Sequence, residues 1–267
     1  MLKDITLGQY FPGDSPVHKL DPRTKLIMVA LYIVALFLAK GFVGYGVMIA
    51  VTVLYVKLSH VPPKALFKGL KTVILIIVLT AVLNVFYTEG TVLVRIWKLT
   101  ITYEGIVRAV FMVLRIVMLI CGTFLLTYTT APVALTDGME LLLNPLKKLK
   151  VPVHEMSMMM SMALRFIPTL IEETDKIMSA QKARGADFET GSLIDRAKAL
   201  LPILVPLFIS AFRRADELAI AMESRCYNGG AGRTRMKQLH YETRDYLTLT
   251  FGVLLIVGMI ALQVVGL

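Results

Sequence analysis

Five runs of nearly uninterrupted hydrocarbon, at 24–40, 42–58, 69–88, 105–131 and 246–267, constrain this chain more than any other feature. The first two, TKLIMVALYIVALFLAK and FVGYGVMIAVTVLYVKL, are at the lower end of what crosses a bilayer core of about 30 Å, and the later runs are longer. Hydrophobic residues fill 56% of 267 positions and the mean hydropathy is +0.69, far too apolar for a soluble domain of this length. The expected fold class is an all-α polytopic membrane protein with about five transmembrane helices. The first 23 residues carry no apolar segment followed by a small-residue cleavage site, so the first run is expected to be a genuine span.

Orientation follows from the short loops. Lys3, Lys19, Arg23 and Lys25 precede the first span, and Lys57, Lys64, Lys68 and Lys71 surround the turn between the second and third, which places those ends in the cytoplasm. Gly41 and Gly44 mark the turn between the first two spans. The 88–104 connection sets Arg95 and Lys98 against Glu89 and Glu104 and suits the outer side. The formal charge of +10 is then a consequence of the positive-inside rule. No groove-reading or base-stacking module is legible, so nucleic acid is not an expected partner. Cys121 lies in an apolar run and Cys226 in a polar one, so no disulfide is expected.

Three parts result: an N-terminal segment with spans one to four (1–131), a charged cytoplasmic segment (132–245) and a C-terminal span (246–267). The middle part reads as three amphipathic helices. A short one covers about 133–149. A long one covers 153–184, with an apolar stripe through Met159, Ala163, Phe166, Leu170, Thr174 and Ile177. A second long helix opens at Ser192, where Asp195 three residues on completes a capping box. Its middle, ALLPILVPLFISAF, is apolar all round but too short to span, so a protein or membrane surface should cover it. Pro202 and Pro206 are expected to kink it.

Little here suggests chemistry. His18, His60, His154 and His240 are scattered without ligand spacing, and no phosphate-cradling glycine loop occurs, so neither a metal site, nor a cofactor, nor a catalytic residue, nor ATP binding by this chain is expected. Arg108 and Arg115 share a face of the fourth span. Arg115, near mid-span, costs about 2.5 to 3.5 kcal/mol unless it finds a polar neighbour such as Asn84.

Two features remain. HEMSMMMSMALRF places Met156, Met158, Met159, Met160 and Met162 around one helix, and unbranched methionine repacks against differently shaped partners at little strain. The two long helices also end alike, on Ala183-Arg184-Gly185 and on Ser224-Arg225-Cys226, the second followed by Asn228, Gly229 and Gly230 as helix-stopping residues. A cation at a helix C-terminus gains about 0.3 to 1 kcal/mol from the dipole, which accounts for one such end better than for two.

VHKLDPRTKL at 17–26, the ARG at 183–185 and the second arginine motif at 224–226, in this order and with a polar two-helix region before the last span, resemble the T component of energy-coupling factor (ECF) transporters along essentially the whole chain. The resemblance implies a non-catalytic transmembrane energy-coupling subunit in a bacterial cytoplasmic membrane. It implies that Arg184 and Arg225, with Ala183, Gly185, Ser224 and Cys226 beside them, dock into two ABC-type ATPases, which themselves bind the ATP. It also implies a membrane-embedded S component that captures a vitamin or micronutrient and rests on the coupling helices; the methionines are the face expected to receive it. A multispanning enzyme acting on lipid headgroups is the alternative, with Asp21, Arg23, Arg108 and Arg115 as its candidates, but an acidic metal-binding constellation is missing.

The topology has a direct check. A Thr190→Cys substitution between the two long helices, in a background lacking Cys121 and Cys226, should escape a membrane-impermeant thiol reagent in intact cells and react after lysis. Labelling from outside would overturn the orientation.

Overall fold

A computed structural model describes residues 10–96, 99–188, 190, 192–230 and 238–265; Lys3 and Lys98 lie outside them. The described elements are helices α1 (Pro22–Leu38), α2 (Gly41–Ser59) and α3 (Pro63–Tyr87), a hairpin of strands β1 (Val92–Ile96) and β2 (Leu99–Thr102), then helices α4 (Tyr103–Thr129), α5 (Pro132–Leu143), α6 (Val153–Ala183), α7 (Leu193–Glu223) and α8 (Thr243–Val265). The chain divides into two compact units, one of Gly8–Met139 with Leu239–Leu267, the other built mainly from Glu140–Gln238. Gly138 and Asp245, both within the segment 132–245, belong to the first.

The first unit holds the membrane helices. Among the described residues α2, α3, α4 and α8 are long and apolar enough to cross a bilayer. The first apolar run forms α1, whose 17 residues rise only about 25 Å. α1 packs against α8 and α4, and α4 also receives α2 and α3. Backbones approach closely where glycine faces α1: a Cβ on Gly122 would fall 2.6 Å from the Tyr32 ring and one on Gly252 would fall 2.8 Å from Met28 Sδ. Such small residues let helices associate where no hydrophobic gradient drives them together. Leu36, Met48, Tyr45, Met118 and Met259 fill the space so formed. The buried Tyr32 hydroxyl meets Thr52 Oγ1 at 2.7 Å and the Met118 carbonyl at 3.2 Å.

Several local expectations change. The α1–α2 turn is made by Ala39 and Lys40, with Gly41 at φ 62 starting α2, whereas Gly44 lies inside that helix and is buried. The 88–104 connection contains an antiparallel hairpin that the charge pattern did not suggest. The short helix expected over 133–149, α5, stops at Leu143 and continues as a 3-10 turn over Asn144–Leu149, because Pro145 has no amide to donate to an α-helical ladder.

Asp245, 1% exposed, joins the two ends of the membrane segment. Its Oδ1 accepts from the Asp21 amide and its Oδ2 from the Glu242 amide, each at 2.9 Å, so one carboxylate serves the entrances of both α1 and α8. Asp21 in turn caps α1 by accepting from the Arg23 amide at 2.8 Å and pairs with the Arg23 guanidinium at 2.8 Å. Arg23 lies 4.0 Å above the Tyr241 ring and donates to the Leu239 carbonyl at 3.0 Å. Lys25, 2% exposed, donates to the Thr129 carbonyl at the end of α4. The Asp-Pro-Arg of the sequence is thus structural: Pro22 supplies the first helical position, and its neighbours fasten three helix ends.

Removing the acceptor should be costly. Asp245→Ala leaves the buried Asp21 amide and the part-buried Glu242 amide unpaired and two cations less compensated, a loss of about 3 to 5 kcal/mol. Asp245→Asn keeps an acceptor and should lose less. Thermal unfolding in detergent reads both; equal midpoints for all three proteins would sink the joint.

Candidate functional site

The second unit presents two helices of 31 residues each, about 46 Å long. α7 opens as the sequence predicts. Ser192 Oγ accepts from the Asp195 amide while the Asp195 carboxylate accepts from the Ser192 amide, each at 3.3 Å. Three prolines lie inside the helices, Pro202 and Pro206 in α7 and Pro168 in α6, and the helical assignment is continuous through all of them. α6 and α7 pack together. Arg214 of α7 donates to Glu173 of α6 at 2.9 Å. The Ser210 hydroxyl, and after it Arg214, hold the Glu173 carboxyl below the usual carboxylate range. A lowered folded pKa means that this contact stabilises above the ordinary carboxylate pKa and loses that contribution as pH falls through the lowered one.

The two helix ends are built alike in detail. At α6 the Gly185 amide donates to the Lys182 carbonyl at 3.0 Å and the Ala186 amide to the Gln181 carbonyl at 3.0 Å. At α7 the Cys226 amide donates to the Glu223 carbonyl at 2.9 Å and the Tyr227 amide to the Met222 carbonyl at 3.0 Å. Each is the paired closure in which a left-handed residue turns the chain back over its last turn. Gly185 takes that conformation at φ 89 and Cys226 at φ 54. The sequence pointed to Asn228 and the glycines after it as the second stop; the stop is Cys226, an L-residue that residue type alone would not place there.

Arg184 and Arg225 therefore occupy equivalent positions, each just before the left-handed residue. Both are exposed, as are Ala183, Gly185, Ser224 and Cys226. Neither guanidinium has an ion pair or hydrogen bond among the described residues.

The methionines separate into two groups. Met156, Met159 and Met160 are exposed, at 50%, 60% and 45%, on a helical face that also carries exposed Ala163. Met158 and Met162, one turn apart, are half-buried. The five methionines are thus not equally open to a partner. The apolar middle of α7 is more open: Leu200, Leu201, Leu204, Val205, Phe208, Ile209 and Phe212 are exposed, while Ile203 is buried. An apolar surface of this extent on a charged helix pair marks an interaction face.

The alternative catalytic candidates do not converge. Asp21 and Arg23 sit at the N-terminal joint of α1, whereas Arg115 reaches the Ala39 carbonyl at the other end of that helix. Arg115 is therefore level with the α1–α2 turn. It lines a cavity with Asn84, whose amide nitrogen donates to the Thr80 carbonyl.

The cap geometry makes a prediction. Cys226→Gly should stabilise the end of α7 by about 1 kcal/mol, and Gly185→Ala should cost α6 a similar amount. Amide hydrogen exchange at 226 and 227, and at 185 and 186, reads both; unchanged protection at either end would show that its left-handed turn is not held.

Comparison with known proteins gives a consistent result. The CbiQ family, described as "Cobalt transport protein", matches residues 13–237, a span that includes Asp21 and both arginine ends. An energy-coupling factor transporter transmembrane protein EcfT of Clostridium kluyveri is 57% identical over 250 residues, covering 92% of each chain. The EcfT of Thermosediminibacter oceani is 54% identical over 97% of this chain and 98% of its own. That of Bacillus subtilis is 51% identical over 92% of this chain and 93% of its own.

Proposed function

The chain belongs to the CbiQ family and, within it, to the energy-coupling factor transporter transmembrane proteins, transporter subunits rather than enzymes; from that premise we propose that it transmits the ATP cycle of two ABC-type ATPases to a membrane-embedded, substrate-capturing S component. The observation that carries this reading is the matched pair of helix ends. Two struts of equal length finish in the same backbone closure, each presenting an exposed guanidinium with no partner among the described residues.

A planar guanidinium supports bidentate pairing with a carboxylate in a groove, and its short, closed helix end leaves little slack between the contact and the strut. With α6 and α7 joined at Glu173 and Arg214, displacement of one tip relative to the other has a pivot to act about. ATP-driven approach of two ATPases would change that crossing. The exposed Met156, Met159 and Met160 face and the open apolar middle of α7 supply the surface on which an S component is carried, with the vitamin or micronutrient bound by that partner. The segment holding α6 and α7 is assigned to the cytoplasmic side of a bacterial cell membrane.

One series of variants tests both contacts. Arg184→Glu with Arg225→Glu should abolish co-purification of the ATPases while the subunit remains folded in detergent, and each single Arg→Ala change should weaken binding by about 2 to 5 kcal/mol, since it leaves a buried partner charge unpaired. Met156→Asp with Met159→Asp should release the S component and retain the ATPases. Retention of all partners and of substrate uptake in both double variants would overturn the proposal; a loss of under about 1 kcal/mol in helix stability alone would reduce the arginines to caps.

A further inference from the structure

At the end of α1 opposite Asp245, three cations line one cavity. Lys40, Arg108 and Arg115 line a cavity of about 280 Å³ together with Tyr45, Asn84 and Phe111. Among the described residues no carboxylate lines it. Glu104, one turn before Arg108, acts on that side chain electrostatically, but its carboxylate is committed to the Thr91 amide at 2.7 Å and the Thr91 hydroxyl at 3.0 Å. Lys40 and Arg108 are exposed, and Arg115 is half-buried. Its Nε is buried without a hydrogen-bond partner, and its Nη2 reaches only the Ala39 carbonyl, at 3.5 Å. The Phe37 and Tyr45 rings lie 5.6 and 5.7 Å from its guanidinium carbon.

Three cations around one cavity repel one another, and a half-buried arginine among membrane helices without a counter-charge is costly, so the arrangement calls for an anion. The cavity also stands beside apolar surface that a water-soluble anion would not use. Phe42, 72% exposed, packs edge-on to Phe111 with centroids 5.0 Å apart, and Phe37, 58% exposed, lies just below the turn on α1. Charge at the level of the turn with hydrocarbon-facing rings beneath it is the pattern of a phospholipid, not of a free ion. We propose that Lys40, Arg108 and Arg115 bind the phosphodiester of an anionic glycerophospholipid whose acyl chain lies along Phe37 and Phe42. Arginine forks suit tetrahedral phosphate oxygens, and the lipid supplies the partner that Arg115 Nε lacks.

Native mass spectrometry of the delipidated full chain in its transporter complex tests this, with phosphatidylglycerol, phosphatidylcholine and inorganic phosphate as probes. Phosphatidylglycerol should bind tightly to one site and phosphatidylcholine should not. Arg108→Gln with Arg115→Gln should weaken that site by about tenfold or more, and Lys40→Gln, an exposed change at the turn that keeps the fold testable, by about fivefold. Equal binding of the two lipids, or lipid affinity unchanged in both variants, would overturn the assignment. So would occupancy by inorganic phosphate at the affinity of phosphatidylglycerol, which would mark a free-anion site. Loss of a membrane partner with lipid binding intact would do the same, since the cations would then face a protein carboxylate.

Discussion

The membrane unit depends on a single buried carboxylate shared by two helix entrances. Asp245 is 224 positions from Asp21, yet its two oxygens receive amides at the beginnings of α1 and α8. A helix start buried without such an acceptor leaves donors with nothing to bond, and hydrocarbon offers no water to replace one. Lys25 extends the joint to the Thr129 carbonyl at the end of α4, and Arg23 to the segment leading into α8. The first, fourth and last membrane helices are fastened at one level, which makes the charged residues of the Asp-Pro-Arg run members of the scaffold.

The other unit is organised by its ends. α6 and α7 differ in sequence, in their prolines and in what they bury, but they converge on the same two backbone bonds at their C-termini. Cys226 accepts a conformation that glycine takes freely at the equivalent place. Retaining the closure at that cost keeps Arg225 in the position that Arg184 has.

What could be read from the sequence was what repeats locally. The apolar runs, the stripe of α6 and the capping box of α7 each depend on neighbours within a few residues, and the structure makes helices of them, four of the five runs long enough to span. The Asp21–Asp245 joint was illegible because nothing local distinguishes Asp245 from any acidic residue in the first turn of a helix. The division among the methionines depends on which side of α6 is covered, a tertiary fact. Arg115 lies at the middle of α4, as counting placed it, but that the α1–α2 turn reaches the same level is a tertiary fact. The left-handed Cys226 was hidden behind three residues better suited to that conformation by type.

Unequal helix lengths have a consequence for the surrounding bilayer. α1 runs beside α4 from Thr129 to about Arg115, so the first three turns of α4, roughly 18 Å, continue beyond the α1–α2 turn. α1 and α2 rise about 25 to 28 Å, whereas α3 and α4 rise about 38 to 40 Å and carry Lys64, Lys68, Lys71, Arg108 and Arg115 along that length. Hydrophobic mismatch costs fractions of a kcal/mol per ångström. A bilayer fitted to the short pair would therefore meet charged turns of the long pair, and a neighbour that tilts or shifts beside them would do so on uneven ground.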